Sequence, residues 1–435
     1  MDISAIHSIF IKHPRVSTDS RNVLNNSIFF ALTGGSFNGN LFAEQALNNG
    51  ALYAVVDDES VAKDSRFILV DDVLTSLQAL ALYHRNLFDI PVIGITGTNG
   101  KTTTKELLFH VLSQKYNVLA TQGNFNNHIG VPLTLLNINQ SHEIAIVEMG
   151  ANHPGEIYDL CKIANPNFGF VTNVGLAHLE GFKTFENIVS TKSGLYQYVD
   201  EHRGICFINS DNKELMDFNS NIEFNYFKVG EHSNNTFSTL LKSVSPFLHL
   251  ELVWPNEDVG NIDTQLVGSY NLSNIAAAAH IGRYFNLSKP EIQKGLSSYI
   301  PSNNRSQIIE TTKNSIILDA YNANPTSLKA AIENFSLLST QLNKVVIIGD
   351  MFELGQHSSV KHQEIVDYII NKIDMFAKVI IVGDHFSKTL HPKQIESFLN
   401  VENFKQSLKA NPIEKAFVLV KGSRGMKMEQ LLDRL

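Results

Sequence analysis

The stretch Val92-Ile-Gly-Ile-Thr-Gly-Thr-Asn-Gly-Lys-Thr-Thr-Thr-Lys-Glu106 decides the fold of this chain. A short apolar run leads into a glycine-rich turn, and apolar residues then recur at helical spacing, at Leu107, Leu108, Val111 and Leu112. A strand, a glycine turn and a helix N-terminus in this order wrap backbone N–H groups around a polyphosphate. The sequence therefore predicts a phosphate-binding loop, and an ordinary glycine-rich turn between a strand and a helix is the alternative.

The residues of this turn have distinct chemical uses. Gly97 and Gly100 have no Cβ, so the backbone can approach phosphate oxygens closely. Lys101 supplies a positive charge near the terminal phosphates, and the Thr102 hydroxyl is a ligand for Mg²⁺. The strict G-x-x-x-x-G-K-[ST] pattern is not met, because Ile95 stands where its first glycine belongs. The turn is a shorter variant of that loop.

The composition is that of a globular enzyme. The chain has 435 residues, 43% of them hydrophobic, which is enough for roughly two to four domains. A formal net charge of −8 argues against a nucleic-acid partner or an anionic membrane surface. No signal-peptide pattern and no membrane-spanning apolar run is evident. Cys161 and Cys206 are too few for a disulfide framework, so we expect buried thiols in a cytoplasmic, monomeric protein.

Three α/β blocks are predicted along the chain. In residues 1–88 short apolar runs alternate with helical patterns, which indicates a small α/β domain. Residues 89–300 begin with the phosphate loop and are predicted to form a parallel-sheet, ATPase-like domain with an antiparallel edge within 205–265. Residues 301–435 alternate strands and helices in a Rossmann-like arrangement. That block has no G-x-G-x-x-G motif, so dinucleotide binding is not implied.

Polar residues follow two predicted strands of the middle block. Glu148 closes the apolar run 144–147, and His178 comes shortly after the run 168–172. Ligands gather at the carboxyl ends of parallel strands, so Glu148 is well placed to hold a divalent ion. A solvated acid at a strand end is the alternative for Glu148. For His178, in a glycine-flanked loop, the alternative is a packing or surface histidine.

Four further residues are ambiguous by themselves. Lys192 lies on a predicted helix over 186–198, where a lone lysine is usually solvated. Asn271 and Asn274 precede an alanine-rich helix, so they either pair with an adenine edge or cap the helix. Arg305 lies between the second and third blocks. It either reaches the phosphates when the domains close or forms an interdomain salt bridge.

Several longer motifs carry a resemblance to a known family. They are 96–103 (Thr-Gly-Thr-Asn-Gly-Lys-Thr-Thr), 123–134 (Gly-Asn-Phe-Asn-Asn-His-Ile-Gly-Val-Pro-Leu-Thr), 148–157 (Glu-Met-Gly-Ala-Asn-His-Pro-Gly-Glu-Ile), 177–181 (Ala-His-Leu-Glu-Gly), 303–307 (Asn-Asn-Arg-Ser-Gln) and 319–325 (Asp-Ala-Tyr-Asn-Ala-Asn-Pro). With them the chain resembles, over essentially its whole length, the ATP-dependent Mur ligases of peptidoglycan synthesis. Within that family it is similar to the branch that adds D-alanyl-D-alanine to UDP-N-acetylmuramoyl-tripeptide. The first motif is shared with folylpolyglutamate synthetases.

The resemblance implies an ATP- and Mg²⁺-dependent ligase that works through an acyl phosphate, and it implies roles for individual residues. ATP would be bound by Gly97, Thr98, Asn99, Gly100, Lys101, Thr102, Thr103, Asn271, Asn274, Arg305 and Asp319. Mg²⁺ would be held by Thr102, Glu148, His178 and a carbamylated Lys192, and the catalytic set would be Lys101, Glu148, His178 and Lys192. Ser20 and Arg21 would contact the UDP moiety, and Asn322 and Asn324 would lie near the dipeptide or the nucleotide.

Other interpretations remain open. Taken alone, Ser20 and Arg21 lie in a segment that is typical of a turn or a helix start. Another amide ligase, adding a single amino acid or adding glutamate to folate, would use the same chemistry. A nucleotide-binding protein without turnover and a P-loop kinase or NTPase are the remaining classes. The intact set of Lys101, Thr102, Glu148 and His178 argues against the first of these two. The lack of an evident Walker-B aspartate argues against the second.

Overall fold

The chain folds into three α/β units, each built around its own sheet. The computed structural model describes residues 2–35, 37–230, 237–244, 246–254 and 260–435. We call the three parts the first, middle and third units. The predicted α/β fold class with three domains is confirmed.

The first unit is a small parallel sheet covered by helices. Its elements are α1 (Ile3–Lys12), β1 (Val16–Ser17), β2 (Ile28–Phe30), β3 (Thr33–Gly34), β4 (Phe37–Asn38), α2 (Ala43–Asn48), β5 (Tyr53–Val56), β6 (Phe67–Leu69) and α3 (Val73–Arg85). The strand order is β1-β2-β5-β6, and every pairing in it is parallel. Strands β3 and β4 form a separate short hairpin.

The middle unit holds the largest sheet. Its strands are β7 (Val92–Thr96), β8 (Val118–Ala120), β9 (Ile144–Glu148), β10 (Phe168–Val171), β11 (Ile205–Asn209), β12 (Phe224–Val229), β13 (Ser238–Val244), β14 (Phe247–Val253) and β15 (Gly260–Val267). Its helices are α4 (Lys101–Leu112), α5 (Gly130–Leu135), α6 (Glu156–Ala164), α7 (Leu179–Phe182), α8 (Phe185–Glu201), α9 (Lys213–Phe218), α10 (Leu272–Tyr284) and α11 (Lys289–Ser298). The order is β15-β14-β13-β12-β11-β10-β7-β9-β8. Strands β13, β14 and β15 pair antiparallel, which confirms the predicted antiparallel edge.

The register of the middle sheet brings three strand ends together. Strand β7 is buried along its whole length and lies between β9 and β10. Ile95 of β7 is opposite Glu148, and Thr96 is opposite Val171 of β10. Because all three strands run parallel, their carboxyl ends and the phosphate loop share one edge of the sheet.

Two glycines of this sheet let helix α8 approach closely. A Cβ on Gly94 would lie 2.8 Å from Leu195 Cδ1, and one on Gly169 would lie 3.3 Å from Leu195 Cγ. Lys192 is one helical turn before Leu195, so this packing draws it inward. Only 2% of Lys192 is exposed, and the expectation of a solvated helix lysine was wrong.

Helix α10 packs against α4, which begins at the phosphate loop. The four alanines 276–279 are completely buried. A Cβ on Gly282 would lie 2.6 Å from Val111 Cγ1, so the two helices are in close contact. This contact sets the N-terminal end of α10, with Asn271 and Asn274, beside the start of α4.

The third unit is a six-stranded sheet between helices. Its elements are β16 (Gln307–Glu310), β17 (Ser315–Asp319), α12 (Pro325–Leu337), β18 (Asn343–Gly349), α13 (Ser358–Ile370), β19 (Lys378–Val382), α14 (Asp384–Ser387), β20 (Ile395–Phe398), α15 (Val401–Ala410) and β21 (Ala416–Lys421). The order is β16-β17-β21-β18-β19-β20, with only β16 antiparallel to its neighbour. This is the Rossmann-like arrangement that the alternating pattern predicts.

Two features of the whole chain match the composition. Cys161 and Cys206 are both buried and unpaired, as expected, and burial raises the pKa of the Cys206 thiol to about 12. Within the described ranges, none of the helices is long and apolar enough to cross a membrane.

Candidate active site

The glycine loop has the conformation that a phosphate cradle requires. Gly97 has φ +142°, and a Cβ there would lie 1.9 Å from Thr172 Oγ1. Gly100 has φ +80°, and its Cβ would lie 2.6 Å from Asn274 Oδ1. Helix α4 begins directly afterwards, at Lys101. No side chain fits at either glycine, so the backbone itself lines the loop and the first N–H groups of α4 face its opening.

The loop is pinned to the end of β10. Thr172 Oγ1 donates to Asn99 O at 2.6 Å, and Asn173 Nδ2 donates to the same oxygen at 3.0 Å. Asn173 Oδ1 accepts a hydrogen bond from Asn99 N at 3.0 Å. The strand end therefore holds both the N–H and the carbonyl group of Asn99, which preorganises the loop.

Lys101 lies over the loop that precedes it. Its Nζ donates to Gly97 O at 2.7 Å and to Thr98 O at 3.1 Å. Desolvation lowers the pKa of Lys101 to about 8, the nearby Glu148 carboxylate opposes this shift, and the Arg305 guanidinium adds to it. A phosphate anion would reverse the shift, because it favours the charged ammonium.

Glu148 is a buried carboxylate with one oxygen unpaired. Only 1% of it is exposed, so the alternative of a solvated strand-end acid was wrong. Its Oε1 accepts a hydrogen bond from Asn126 Nδ2 at 2.8 Å. Its Oε2 is buried and has no hydrogen-bond partner among the residues that the structure describes. An orphaned carboxylate oxygen of this kind fits a divalent cation. The buried Thr102 lines the same cleft.

His178 also lines the cleft, in a left-handed backbone conformation with φ +50° and ψ +38°. Its Nδ1 lies 2.6 Å from Glu353 Oε2 of the third unit, although the two atoms are not aligned for a hydrogen bond. No group of three or more His, Cys, Asp and Glu side chains is gathered for a metal ion in the described ranges. Any cation bound here would therefore take Thr102 or a phosphate oxygen as a further ligand.

Lys192 is buried behind the cleft wall and does not line it. Its Nζ lies 5.6 Å from the ring centroid of Phe182, and no carboxylate in the described part of the chain pairs with it. Desolvation lowers the pKa of Lys192 well below its ordinary value, the Lys101 charge adds to this, and Glu156 opposes it. A buried lysine without an anionic partner favours the neutral amine.

Asn271 and Asn274 form a buried chain of hydrogen bonds to helix α4. Asn271 Nδ2 donates to Val267 O at 2.9 Å, and Asn274 Nδ2 donates to Asn271 Oδ1 at 2.8 Å. Thr104 Oγ1 donates to Asn274 Oδ1 at 3.1 Å. The alternative of helix capping was wrong for Asn271, since its side chain makes no cap hydrogen bond at the start of α10.

The third unit contributes a buried ion pair that the sequence reasoning missed. Lys421 Nζ lies 2.6 Å from Asp319 Oδ2, and the two residues are opposite each other on β21 and β17. Lys421 also donates to Asn322 O at 3.2 Å. A signal was present, because Lys421 ends an apolar run just as Glu148 does.

Arg305 stacks on an aromatic ring and forms no ion pair among the described residues. Its guanidinium carbon lies 3.6 Å from the centroid of Tyr321, so the alternative of an interdomain salt bridge was wrong. Ser306, next in the chain, has φ +47° and donates its N–H to Asp319 Oδ1 at 3.3 Å. A strained hinge backbone thus holds Arg305 at the mouth of the cleft.

Ser20 and Arg21 stand apart from the cleft. Arg21 is exposed and pairs with Asp19 at 2.9 Å, which lowers the pKa of Asp19 to about 2. Ser20 accepts a hydrogen bond from Asn49 Nδ2 through its backbone oxygen, at 3.1 Å. The segment is a turn, and neither residue lines the cleft.

Most of the predicted site residues meet in one cleft of about 1100 Å³ that all three units line. The first unit contributes Gln78 of α3. The predicted site residues that line it are Thr98, Asn99, Gly100, Lys101, Thr102, Thr103, Glu148, His178, Asn271, Asn274, Arg305, Asp319 and Asn322. Those that do not line it are Gly97, Lys192, Asn324, Ser20 and Arg21. Asn126 and Tyr321 also line it, and sequence reasoning had assigned neither a role.

The cleft combines a phosphate cradle with a carboxylate oxygen that is free to bind a metal cation. The third unit and the segment before it add the positively charged side chains Lys421 and Arg305 to the same cleft. These features define a multidomain, nucleotide-dependent enzyme. Known proteins agree with this class. A family model described as the Mur ligase middle domain matches residues 95–282, and one described as the Mur ligase, glutamate ligase domain matches residues 304–424. The chain belongs to the Mur ligase family.

Relatives match nearly the whole chain. The UDP-N-acetylmuramoyl-tripeptide–D-alanyl-D-alanine ligase of Bacillus subtilis is 33% identical over 430 residues, covering 97% of this chain and 92% of that protein. A crystal structure of MurF from Acinetobacter baumannii has a TM-score of 0.85 at 28% identity and covers 96% of this chain and 92% of that one. MurF ligase from Thermotoga maritima, in complex with ADP, has a TM-score of 0.84 at 28% identity and covers 97% and 96%.

Proposed function

We propose that this chain is an ATP-dependent ligase that joins D-alanyl-D-alanine to UDP-N-acetylmuramoyl-tripeptide and so forms the UDP-muramoyl-pentapeptide precursor of peptidoglycan. The observation that carries this is a single cleft lined by Lys101 and Glu148 of the middle unit and by the Asp319–Lys421 pair of the third. The Bacillus subtilis relative, which matches nearly the whole chain, carries this activity in its name, and the MurF structures match over the same length. A cleft that all three units line fits a reaction that must bring a nucleotide and two further reactants together.

The proposed division of labour follows the three sheets. Residues 1–88 would bind the UDP end of the substrate, residues 89–300 would bind ATP, and residues 301–435 would complete the ligase site. The β-strands of each sheet lie within these ranges, which supports the boundaries. Ser20 and Arg21, on the first unit, are the proposed UDP contacts. The Asp19–Arg21 pair would have to open for Arg21 to bind a phosphate.

ATP is proposed to lie along the glycine loop, with its phosphates between Gly97 and Thr103. Lys101 would leave the two loop carbonyls it now contacts and bind a terminal phosphate oxygen. Asn271 and Asn274 would lie near the adenine, although their side chains are already engaged with α4, so we expect them to shape the pocket more than to read the base. Arg305 would approach the phosphates from the hinge.

The donor set fits a divalent cation, for which we propose Mg²⁺. Glu148 Oε2, the Thr102 hydroxyl and His178 would hold it, and the orphaned Glu148 oxygen is the observation that supports this. Lys192 is proposed to be carbamylated: its neutral amine adds to CO₂, a C–N bond forms and one proton is released. When bound, Mg²⁺ would neutralise negative charge between the phosphates and the attacking carboxylate.

The reaction is proposed to run in two steps. First, the terminal carboxylate of the tripeptide attacks the γ-phosphorus of ATP, an O–P bond forms, the bond to ADP breaks and an acyl phosphate results. Second, the amine of D-alanyl-D-alanine attacks the acyl carbon, loses a proton, and phosphate leaves. Lys101 and Arg305 stabilise charge in the first step. Asn322 and Asn324, near the third-unit face of the cleft, are proposed to lie beside the incoming dipeptide or the nucleotide.

Water would hydrolyse an acyl phosphate, so the intermediate needs protection from solvent. We propose that the middle and third units close around it and keep water out. We further propose that the protein acts as a monomer in the cytoplasm, where ATP is available. The two unpaired thiols, Cys161 and Cys206, support a reducing compartment.

One assay tests the proposal directly. Purified protein is given ATP, Mg²⁺ and D-alanyl-D-alanine, with and without UDP-N-acetylmuramoyl-tripeptide, and phosphate release is followed. We expect release only when both substrates are present. Folate with glutamate, and single amino acids in place of the dipeptide, serve as matched controls. Faster release with either control would instead identify another amide ligase of this family.

A further inference from the structure

A side-chain contact joins the middle and third units beside the proposed Mg²⁺ ligand His178. His178 Nδ1 is 2.6 Å from Glu353 Oε2, although 175 positions separate the two residues in the sequence. The main chain reinforces it, since Glu180 N donates to Glu353 O at 3.3 Å. Glu353 is therefore held against the His178 loop by both its side chain and its backbone.

The backbone around this contact is shaped to make it. His178 has φ +50° and Glu353 has φ +62°, both in the left-handed region that residues other than glycine rarely adopt. Gly355, two residues on, has φ +52°, and a Cβ there would lie 3.4 Å from Glu180 Cβ. Strained conformations on both sides of one contact persist only where the surroundings impose them. This pattern is typical of a functional clamp.

The contact orients an imidazole that lines the active-site cleft. The side chain of His178 is 23% exposed, and its Nε2 has no hydrogen-bond partner among the described residues. When the imidazole is neutral with its proton on Nδ1, a carboxylate beside that nitrogen orients the ring, and Nε2 keeps its lone pair for a ligand. Glu353 belongs to the third unit, so the ring is oriented in this way only when that unit is docked.

We propose that Glu353 is a positioning residue: it orients His178 toward the metal–nucleotide complex and so couples docking of the third unit to completion of that site. This rests on the proposed function in so far as His178 meets the cation. Glu353 itself does not line the cleft and touches no reacting atom. Its effect is exerted through His178.

The test measures Mn²⁺ binding in the presence of a non-hydrolysable ATP analogue, by electron paramagnetic resonance, in the full-length protein. Glu353→Gln keeps the size of the side chain and removes its charge. We expect Mn²⁺ affinity to fall roughly tenfold, the usual effect of losing an outer-shell carboxylate. Glu180→Gln, an isosteric change in α7 at a residue that does not line the cleft, should leave Mn²⁺ affinity unchanged.

A double variant separates positioning from simple packing. If Glu353 acts through His178, then Glu353→Gln combined with His178→Ala should bind Mn²⁺ as weakly as His178→Ala alone. In turnover, Glu353→Gln should lower kcat roughly tenfold with the KM for D-alanyl-D-alanine within about twofold of the parent. Thermal unfolding of each variant is recorded alongside.

Two results would overturn the proposal. One is parental Mn²⁺ affinity in Glu353→Gln, with or without a lower Tm, since this would leave only a structural role. The other is full additivity of the two substitutions. The Mn²⁺ measurement needs no UDP-linked substrate, so failure of the proposed ligase activity would appear separately, as absent phosphate release by the parent protein.

Discussion

Asn324 Nδ2 donates a hydrogen bond to Asn99 Oδ1 at 2.8 Å, joining the third unit to the phosphate-binding loop. Asn324 is also the N-cap of α12, where its Oδ1 accepts from Ser327 N at 2.8 Å. One amide thus serves two purposes: its oxygen starts a helix and its nitrogen holds the loop. The loop is therefore fixed from β10 on one side and from the third unit on the other.

Asn324→Ser should separate these purposes, because serine still caps a helix but is too short to reach Asn99. Losing one hydrogen bond of about 0.5–1.5 kcal/mol predicts a roughly twofold to tenfold weaker affinity for ADP, measured by calorimetry. Asn400→Ser makes the same change at the N-cap of α15, whose side chain accepts from Asn403 N. If both variants lose affinity equally, the contact with the loop is unimportant.

Lys101→Ala should abolish ligation and leave the fold intact. The side chain lies at the loop and bonds only to loop carbonyls, so its removal breaks no buried ion pair. We expect phosphate release to fall roughly 100-fold or more, the usual effect of removing a group that stabilises transition-state charge. Circular dichroism and Tm report the fold, and Lys63→Ala, at an exposed surface pair, is the control. Near-parental turnover would contradict the assignment.

The lowered pKa of Lys101, about 8, predicts a pH dependence of nucleotide binding. Phosphate binds the charged amine, so above pH 8 the free protein must take up a proton on binding. ADP affinity should then decrease with rising pH between pH 8 and 10, with a slope that approaches roughly tenfold per pH unit. Lys101→Arg stays charged throughout this range and should flatten the profile. Calorimetry in buffers of different ionisation enthalpy measures the proton uptake, and its absence at pH 9 would refute this account.

The same pKa shift has a consequence for folding of the free protein. The unfolded chain binds this proton up to the ordinary lysine pKa of 10.5, whereas the folded chain releases it near pH 8. The contribution of Lys101 to stability therefore rises with pH between these values.

Glu148→Gln should weaken the binding of Mg²⁺ without unfolding the sheet. The amide can still accept the hydrogen bond from Asn126, but its second terminal atom is no longer an anionic ligand. We expect the Mg²⁺ concentration for half-maximal phosphate release to rise roughly tenfold or more. Glu143→Gln, just before the opposite end of β9, is the matched control. Equal Mg²⁺ dependence in both variants would show that Glu148 holds no cation.

Gly100→Ala should lower the free energy of unfolding by more than the left-handed backbone conformation alone explains. Gly100 and Gly155 have nearly equal φ, +80° and +84°, and both precede a helix, but only Gly100 has a neighbour within 3 Å of an added Cβ. Gly155→Ala should cost about 1–2 kcal/mol for the left-handed conformation. Gly100→Ala should lower stability by the same amount and should also displace Asn274, with loss of ADP binding. Equal unfolding free energies of the two variants, from denaturant titration, would exclude a clash between the added Cβ and Asn274.

Local pattern was enough to predict most of the elements that form the cleft. Three elements lie where the sequence predicts them: the strand before the loop, the strand that ends at Glu148 and the alanine-rich helix that ends at Tyr284. Their signals depend on residues within one turn or one strand of each other. Burial was less predictable: Lys192 has no local feature that distinguishes it from a surface lysine, and it is buried on α8, which packs closely against two glycines of the sheet.

The sequence by itself determined the phosphate-binding loop, because the chemistry of a glycine turn and a helix start is contained in fifteen consecutive residues. It also determined the family, through motifs that are each continuous in the chain. Only the tertiary structure decided that Asn324 holds Asn99, that Lys421 pairs with Asp319 and that Glu353 faces His178. These contacts join residues more than 100 positions apart. Two of them depend on how the middle and third units pack together, and the Asp319–Lys421 pair depends on which strands become neighbours in one sheet, which no local pattern encodes.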